Sequence, residues 1–86
     1  MYLISTERQN EKQLIALLSF EVDGFFLSHG IGYFEGQAEE STVIQLADST
    51  IDKRTGERIL YNGVKRIATL IAREFDQQAV LVTGTI

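Results

Sequence analysis

The sequence predicts a single α+β domain whose elements follow the order βαββαβ. The chain has 86 residues, which is the length of one domain. Two segments place apolar residues at helical spacing, and four others are short, apolar and rich in β-branched or aromatic residues. With 44% hydrophobic and 23% charged residues, the composition is typical of a folded protein and not of a disordered one.

The first helix is predicted over residues 6–19. Thr6 and Gln9 have the spacing of a capping box, in which the hydroxyl and the amide each bind a free backbone N–H group. Leu14 and Leu18 lie four residues apart and therefore share one face of the helix. Only the second half of this helix is apolar enough to pack closely.

The strands are predicted from short apolar runs between turn signals. They cover residues 2–4, 25–34, 42–47 and 79–83. The connection between the second and third strands is predicted at residues 35–39, and glycines within the second strand indicate backbone bends.

The second helix has the clearest pattern in the chain. Apolar residues recur there at spacings of three and four: Leu60, Val64, Ile67, Ala68, Ile71, Ala72 and Phe75. The polar segment before it, residues 48–57, is predicted to be an exposed loop.

This order of elements is that of a ferredoxin-like domain. Two right-handed crossovers would give a four-stranded antiparallel sheet in the order 4-1-3-2, with both helices on one face. The end of the first strand would then meet the end of the second and the starts of the third and fourth. Polar residues from these junctions form the predicted ligand-binding site: Thr6, Arg8, Asn10, Tyr33, Glu40, Ser41 and Gln77.

The same residues also have a purely structural interpretation. Thr6 would only cap a helix, and Glu40 would only pair with Arg8. If the site is functional, the free N–H groups of the first helix and the guanidinium of Arg8 would suit a carboxylate or phosphate.

Catalytic and metal chemistry find little support in the sequence. The chain has no cysteine, and its single histidine, His29, is interpreted as a structural or surface residue. Ser41 has no obvious base, since His29 is expected to lie several strand residues away on the neighbouring strand, so no Ser-His-Asp device is expected. The glycines of residues 30–36 do not form a phosphate loop, because no helix follows them. We therefore predict no catalytic residues, no metal and no cofactor.

Several short motifs resemble those of a group of functionally uncharacterised phage and bacterial proteins. Asn10-Glu11 opens the first helix, a Gly-aromatic-x-x-Gly stretch covers residues 32–36, Glu40-Ser41 follows, and aromatic-x-Gln ends at Gln77. The group often has an aromatic residue after Glu-Ser, where this chain has Thr42. The resemblance implies the fold and a phage or mobile-element origin. It also directs attention to Asn10, Glu40, Ser41 and Gln77, but it implies no activity.

Three functional hypotheses follow. The first is a non-catalytic, phage-type inhibitor that blocks a host protein, such as a defence protein, or sequesters a small anionic ligand such as a nucleotide. The second is an enzyme that uses Glu40 as acid or base beside Ser41 and Gln77. The third is an assembly role, since the apolar edge strand over residues 25–34 favours a homodimer.

The net charge of -4 disfavours nucleic acid and anionic membranes as partners. No signal peptide or membrane-spanning run is evident, so a cytoplasmic location is expected.

Overall fold

The computed structural model describes residues 1–76 and 81–84. A four-stranded antiparallel sheet has the order β2-β3-β1-β6, and a second sheet pairs β4 with β5. The elements are β1 (Tyr2–Glu7), α1 (Glu11–Glu21), β2 (Phe26–Phe34), β3 (Gln37–Leu46), β4 (Ile51–Asp52), β5 (Glu57–Arg58), α2 (Tyr61–Glu74) and β6 (Leu81–Gly84). The predicted α+β class, with two helices and antiparallel strands, is confirmed.

The hydrophobic core lies between one face of the larger sheet and the two helices. Because side chains alternate along a strand, every second residue of β1 and β3 faces this core. The fully buried side chains form one cluster that draws on both helices: Ile4, Leu14, Leu18, Val22, Ile44, Leu46, Val64, Ile67 and Ile71. Burying each side chain of this size stabilises the fold by roughly 1.5–3 kcal/mol. Both helices therefore cover the same face of the sheet.

The first strand is longer than predicted, and the first helix begins later. Thr6 is 3% exposed within β1, opposite Thr42 of β3, so the predicted cap at Thr6 is wrong. Its β-branched side chain continues the buried alternation that begins at Ile4. The helix begins at Glu11 instead, and the side chain of its N-cap, Asn10, accepts a hydrogen bond of 3.1 Å from the Gln13 backbone N–H.

A two-residue turn at Glu35 and Gly36 joins β2 to β3. Both residues have positive φ, 51° and 79°, as a type I′ hairpin turn requires. Because the turn is so tight, β3 begins at Gln37 rather than at residue 42. The prediction that Glu40 and Ser41 mark the start of a strand is therefore wrong, and both lie within β3.

The hairpin projects beyond the rest of the sheet. The last residue of β1, Glu7, lies opposite Ser41, and the Arg8 backbone N–H donates to the Glu40 carbonyl at 3.1 Å. Past that bond, only β2 and β3 pair with each other, over residues 32–34 and 37–39. We call residues 32–39 the hairpin end; in the described part of the chain, no third strand pairs with it.

The segment predicted as an exposed loop, residues 48–57, is partly ordered and partly buried. It contains β4 and the first residue of β5, and Thr50 and Asp52 are only 6% and 5% exposed. Asp52 forms an isolated bridge with Val22, and the Lys53 backbone N–H donates to the Glu21 carbonyl at 2.9 Å. The segment thus packs onto the end of α1, and the prediction of a wholly exposed loop is wrong.

The second half of the chain otherwise follows the predicted pattern. The second helix, predicted at residues 60–75, is α2 (Tyr61–Glu74), and its buried residues include Val64, Ile67, Ala68 and Ile71. The final strand, predicted at residues 79–83, is observed as β6 (Leu81–Gly84). Residues 79 and 80 lie outside the described part of the chain.

Candidate functional site

Arg8 and Glu40, from two of the predicted junctions, come together in the structure. Arg8 Nη1 lies 3.2 Å from Glu40 Oε2, next to the backbone hydrogen bond between the same two residues. Both side chains are largely exposed, at 57% and 70%. Exposed pairs of this kind contribute about 0–1 kcal/mol to stability, so the pair is free to rearrange when a partner binds.

The pair borders an open depression of about 240 Å³ on the side of β2 and β3. It is lined by Arg8, His29, Gly30, Ile31, Glu40 and Ser41. Three predicted site residues, Arg8, Glu40 and Ser41, therefore line this depression, although alternation along β3 places the side chains of Glu40 and Ser41 on opposite faces of the sheet.

Three of the other predicted site residues do not join this depression. Thr6 is buried in the core, and the side chain of Asn10 binds the first turn of α1. Tyr33 lies in the hairpin end, opposite Ala38, and is 73% exposed. Gln77 lies outside the described residues.

His29 belongs to the depression, although the sequence gave it no functional part. It lies opposite Thr42, and the next residue of β2, Gly30, lies opposite Ser41. The expectation that His29 is several strand residues away from Ser41 is therefore wrong. The two-residue turn sets this register, and the predicted longer connection had obscured it.

The imidazole of His29 lies between a carboxylate and a hydroxyl. Its Nε2 is 3.6 Å from Glu11 Oε1, and its Nδ1 is 3.3 Å from Thr42 Oγ1. This arrangement resembles an acid–histidine–hydroxyl relay, but Thr42 is only 1% exposed. Because a nucleophile must reach its substrate, the contact is structural and links the start of α1 to β2 and β3.

The surroundings of Arg8 are acidic. Glu40 already pairs with it, and Glu11 lies 3.6 Å from His29 Nε2 at the same depression. Glu7 and Glu39 are the chain neighbours of Arg8 and Glu40, with side chains on the other face of the sheet. Within residues 1–76 and 81–84, no group of three histidine or carboxylate side chains is arranged to hold a metal ion. The charges at this end of the sheet therefore suit a basic or polar partner better than an anion.

A second polar cluster, which the sequence analysis missed, connects the segment before α2 to both helices. It consists of Glu21, Asp52, Arg54 and Arg66. Arg66 Nη1 donates to Glu21 Oε2 at 2.7 Å, and Arg66 Nη2 lies 3.2 Å from both oxygens of Asp52. Arg54 adds two bonds of 3.2 and 3.3 Å to the carboxylate of Glu21. We call these four residues the ion cluster.

The ion cluster keeps its buried groups charged. Burial alone would raise the pKa of the Glu21 carboxyl, but hydrogen bonds from Arg66 and Arg54 lower the pKa below its ordinary value. Burial alone would lower the pKa of Arg66, but hydrogen bonds from Glu21 and Asp52 raise it. The two carboxylates balance the charge of the two guanidinium groups. The ion cluster therefore connects α1, residues 52–54 and α2, and it has no free cation to bind an anion.

Sequence reasoning missed the ion cluster because its members come from distant parts of the chain. Arg66 lies between the apolar positions of α2, where a long cationic side chain is normally solvent-exposed, but its side chain is only 28% exposed. The one local signal is Gly63, on the preceding turn of α2. A Cβ atom at Gly63 would lie 2.9 Å from Asp52 Oδ2, so this position leaves room for the carboxylate.

No helix in the described part of the chain has the length and apolar character needed to cross a membrane. Comparison with protein-family models, with curated proteins and with solved structures found no match.

Proposed function

We propose that this chain is a non-catalytic binding protein that uses the hairpin end to engage, and thereby block, another protein. The observation that carries the proposal is the position of Tyr33. Its aromatic side chain is 73% exposed on a hairpin end that extends past the last residue of β1, and Glu35, in the turn of the same hairpin, is exposed as well. Exposed aromatic residues with polar surroundings are typical of the residues that dominate protein–protein binding energy.

The carboxylates indicate the kind of partner surface. Three glutamates are exposed at this end of the sheet: Glu35, Glu39 and Glu40. The nearby cation, Arg8, forms a salt bridge with Glu40. A basic surface with an apolar pocket for Tyr33 would complement this arrangement. The same charges weigh against the sequestering of a nucleotide or another small anion, because like charges would repel it.

The enzyme hypothesis gains no support from the site. Glu40 is 70% exposed and forms a salt bridge with Arg8, which does not distinguish it from an ordinary surface carboxylate. Ser41 shares the depression with His29, but the hydrogen bond of His29 Nδ1 is to Thr42.

The proposal also includes a ferredoxin-like fold and a phage or bacterial origin for the chain. The strand order β2-β3-β1-β6 supports a ferredoxin-like assignment for the larger sheet and its two helices. The resemblance of the motifs to phage and bacterial proteins supports a host protein as the target, such as a defence protein. Such an encounter would take place in the cytoplasm of the host cell.

An affinity capture with matched variants tests the proposal. The tagged chain, Tyr33→Ser and Phe20→Ser are each incubated with bacterial lysate, and the retained proteins are identified by mass spectrometry. Phe20 is the control because it is an exposed aromatic residue on α1, at 80% exposure. We expect a partner that the parent chain and Phe20→Ser retain and that Tyr33→Ser loses.

Calorimetry with that partner, once purified, then measures the contribution of Tyr33. Truncating a central aromatic anchor costs about 2 kcal/mol or more, which corresponds to a roughly thirty-fold higher Kd. Equal retention by all three chains would refute the hairpin end as the binding surface.

A further inference from the structure

The outer side of β2 is the longest unpaired strand edge in the described part of the chain. β2 (Phe26–Phe34) has nine residues and pairs on one side only, with β3. The opposite edge of the sheet, β6 (Leu81–Gly84), has four residues. A long free edge exposes a row of backbone N–H and C=O groups that another strand can bind.

β2 lacks the features that normally protect a free edge. Residues 26–34 contain no lysine, arginine, aspartate, glutamate or proline, in a chain that is 23% charged. Three of its apolar side chains are largely exposed: Phe26 at 69%, Ile31 at 63% and Tyr33 at 73%. The strand therefore has no lysine, arginine or carboxylate side chain that would repel the same side chain of a second copy.

We propose that two copies of this chain pair antiparallel along β2, about a two-fold axis at Gly30. Gly30 is the central residue of β2, so this register pairs all nine residues of each strand. Phe26 then lies opposite residue 34 of the second copy, and His29 lies opposite Ile31 of the second copy.

This register also preserves the two faces of the sheet. Paired positions differ by an even number of residues, so side chains that face the helices in one copy lie beside such side chains in the other. The result is a continuous eight-stranded antiparallel sheet with all four helices on one side.

The small size of the domain adds a reason for self-association. An 86-residue chain buries only about 60–65% of the surface that its unfolded form exposes, so its core alone gives limited stability. Pairing the β2 edges satisfies backbone groups of both copies and brings Ile31 of each copy beside His29 of the other.

A mass measurement with matched variants tests the dimer. We expect a dimer by light scattering at about 50 μM, a concentration at which a Kd of about 1 μM gives mostly dimer. Ile31→Lys adds a charge to the edge and should shift the mass to that of the monomer. Phe20→Lys makes the same kind of change on α1 and should remain dimeric. A monomeric parent chain, or a dimer that Ile31→Lys does not weaken more than Phe20→Lys, would overturn the proposal.

Single-cysteine variants test the register, since the chain has no cysteine of its own. A Cβ atom at Gly30 would meet nothing within 4 Å, so Gly30→Cys fits the fold. Directly opposite residues have Cα atoms about 4.5–5.5 Å apart, which is within disulfide range. In Ser28→Cys the two cysteines would lie about four residues apart along the strands, at roughly 13 Å, which is too far.

We therefore expect mild oxidation to cross-link Gly30→Cys and to leave Ser28→Cys uncross-linked. Equal cross-linking of the two variants, or of Ser28→Cys alone, would contradict the axis at Gly30. This inference goes beyond the proposed function and fails separately from it, because mass and cross-linking require no other protein.

Discussion

Replacing Arg66 by methionine should remove much of the stability of this domain. Arg66 holds two buried carboxylates, since Glu21 and Asp52 each have side chains that are only 6% exposed. Methionine keeps an unbranched apolar side chain but removes all three of the hydrogen bonds that Arg66 makes to Glu21 and Asp52. The fold would then contain two carboxylates that have lost their main counter-charge.

The expected loss is about 3 kcal/mol. Removing one partner of a buried ion pair typically costs about 3–5 kcal/mol, and we take the lower value because Arg54 still binds Glu21. A chain of 86 residues has an unfolding free energy of roughly 4–13 kcal/mol. Arg66→Met should therefore lower the unfolding free energy by between a quarter and three quarters of its value.

Urea denaturation, followed by circular dichroism, measures this change. With a slope of about 1 kcal/mol per molar urea, the midpoint should fall by about 3 M. Arg73→Met is the matched control, because Arg73 is an exposed arginine in the last turn of the same helix and should cost less than about 0.5 kcal/mol. If the two variants lost the same stability, the structural role assigned to the ion cluster would be wrong.

Three further predictions concern the ion cluster and the sheet. Gly63→Ala should lower the unfolding free energy, measured by urea denaturation, by about 1 kcal/mol or more, because its Cβ would crowd Asp52 Oδ2. Gly24→Ala is the control: it has open space around its Cβ and should not show this loss. The lowered pKa of Glu21 stabilises the fold above its unfolded value of 4.5, so the unfolding free energy should fall as the pH drops from about 5 through the pKa of the folded state. That decrease should be smaller in Glu21→Gln, and an unchanged pH profile would contradict the assignment. Asn10→Ala should cost about 1 kcal/mol by loss of the N-cap, and Asn10→Asp should retain most of the stability.

The periodic parts of the fold could be predicted from the sequence. The spacing from Val64 to Ile71 predicted α2, because burial of one helix face imposes a regular pattern. The aromatic and apolar residues of the segment 25–34 predicted the strand that is observed as β2. The α+β class follows from these elements. The start of α1 could not be predicted in the same way, since Thr6 suits both a helix cap and a buried strand position.

The candidate site was predictable only in part, for related physical reasons. Antiparallel pairing brings Arg8 to Glu40, and the order of elements was enough to anticipate that contact. The length of the β2–β3 turn decides which residue lies opposite Ser41, and one misplaced turn hid the proximity of His29. The ion cluster depends on how residues 48–57 pack against α1 and α2, which no periodic pattern reveals, and Gly63 is its one local signal.

The central claim is that Tyr33 on the projecting hairpin end binds another protein. The most direct measurement is the binding isotherm of the captured partner with the parent chain, Tyr33→Ser and Phe20→Ser. We expect a roughly thirty-fold higher Kd for Tyr33→Ser and an unchanged Kd for Phe20→Ser. Equal affinity of all three chains for the partner would contradict it.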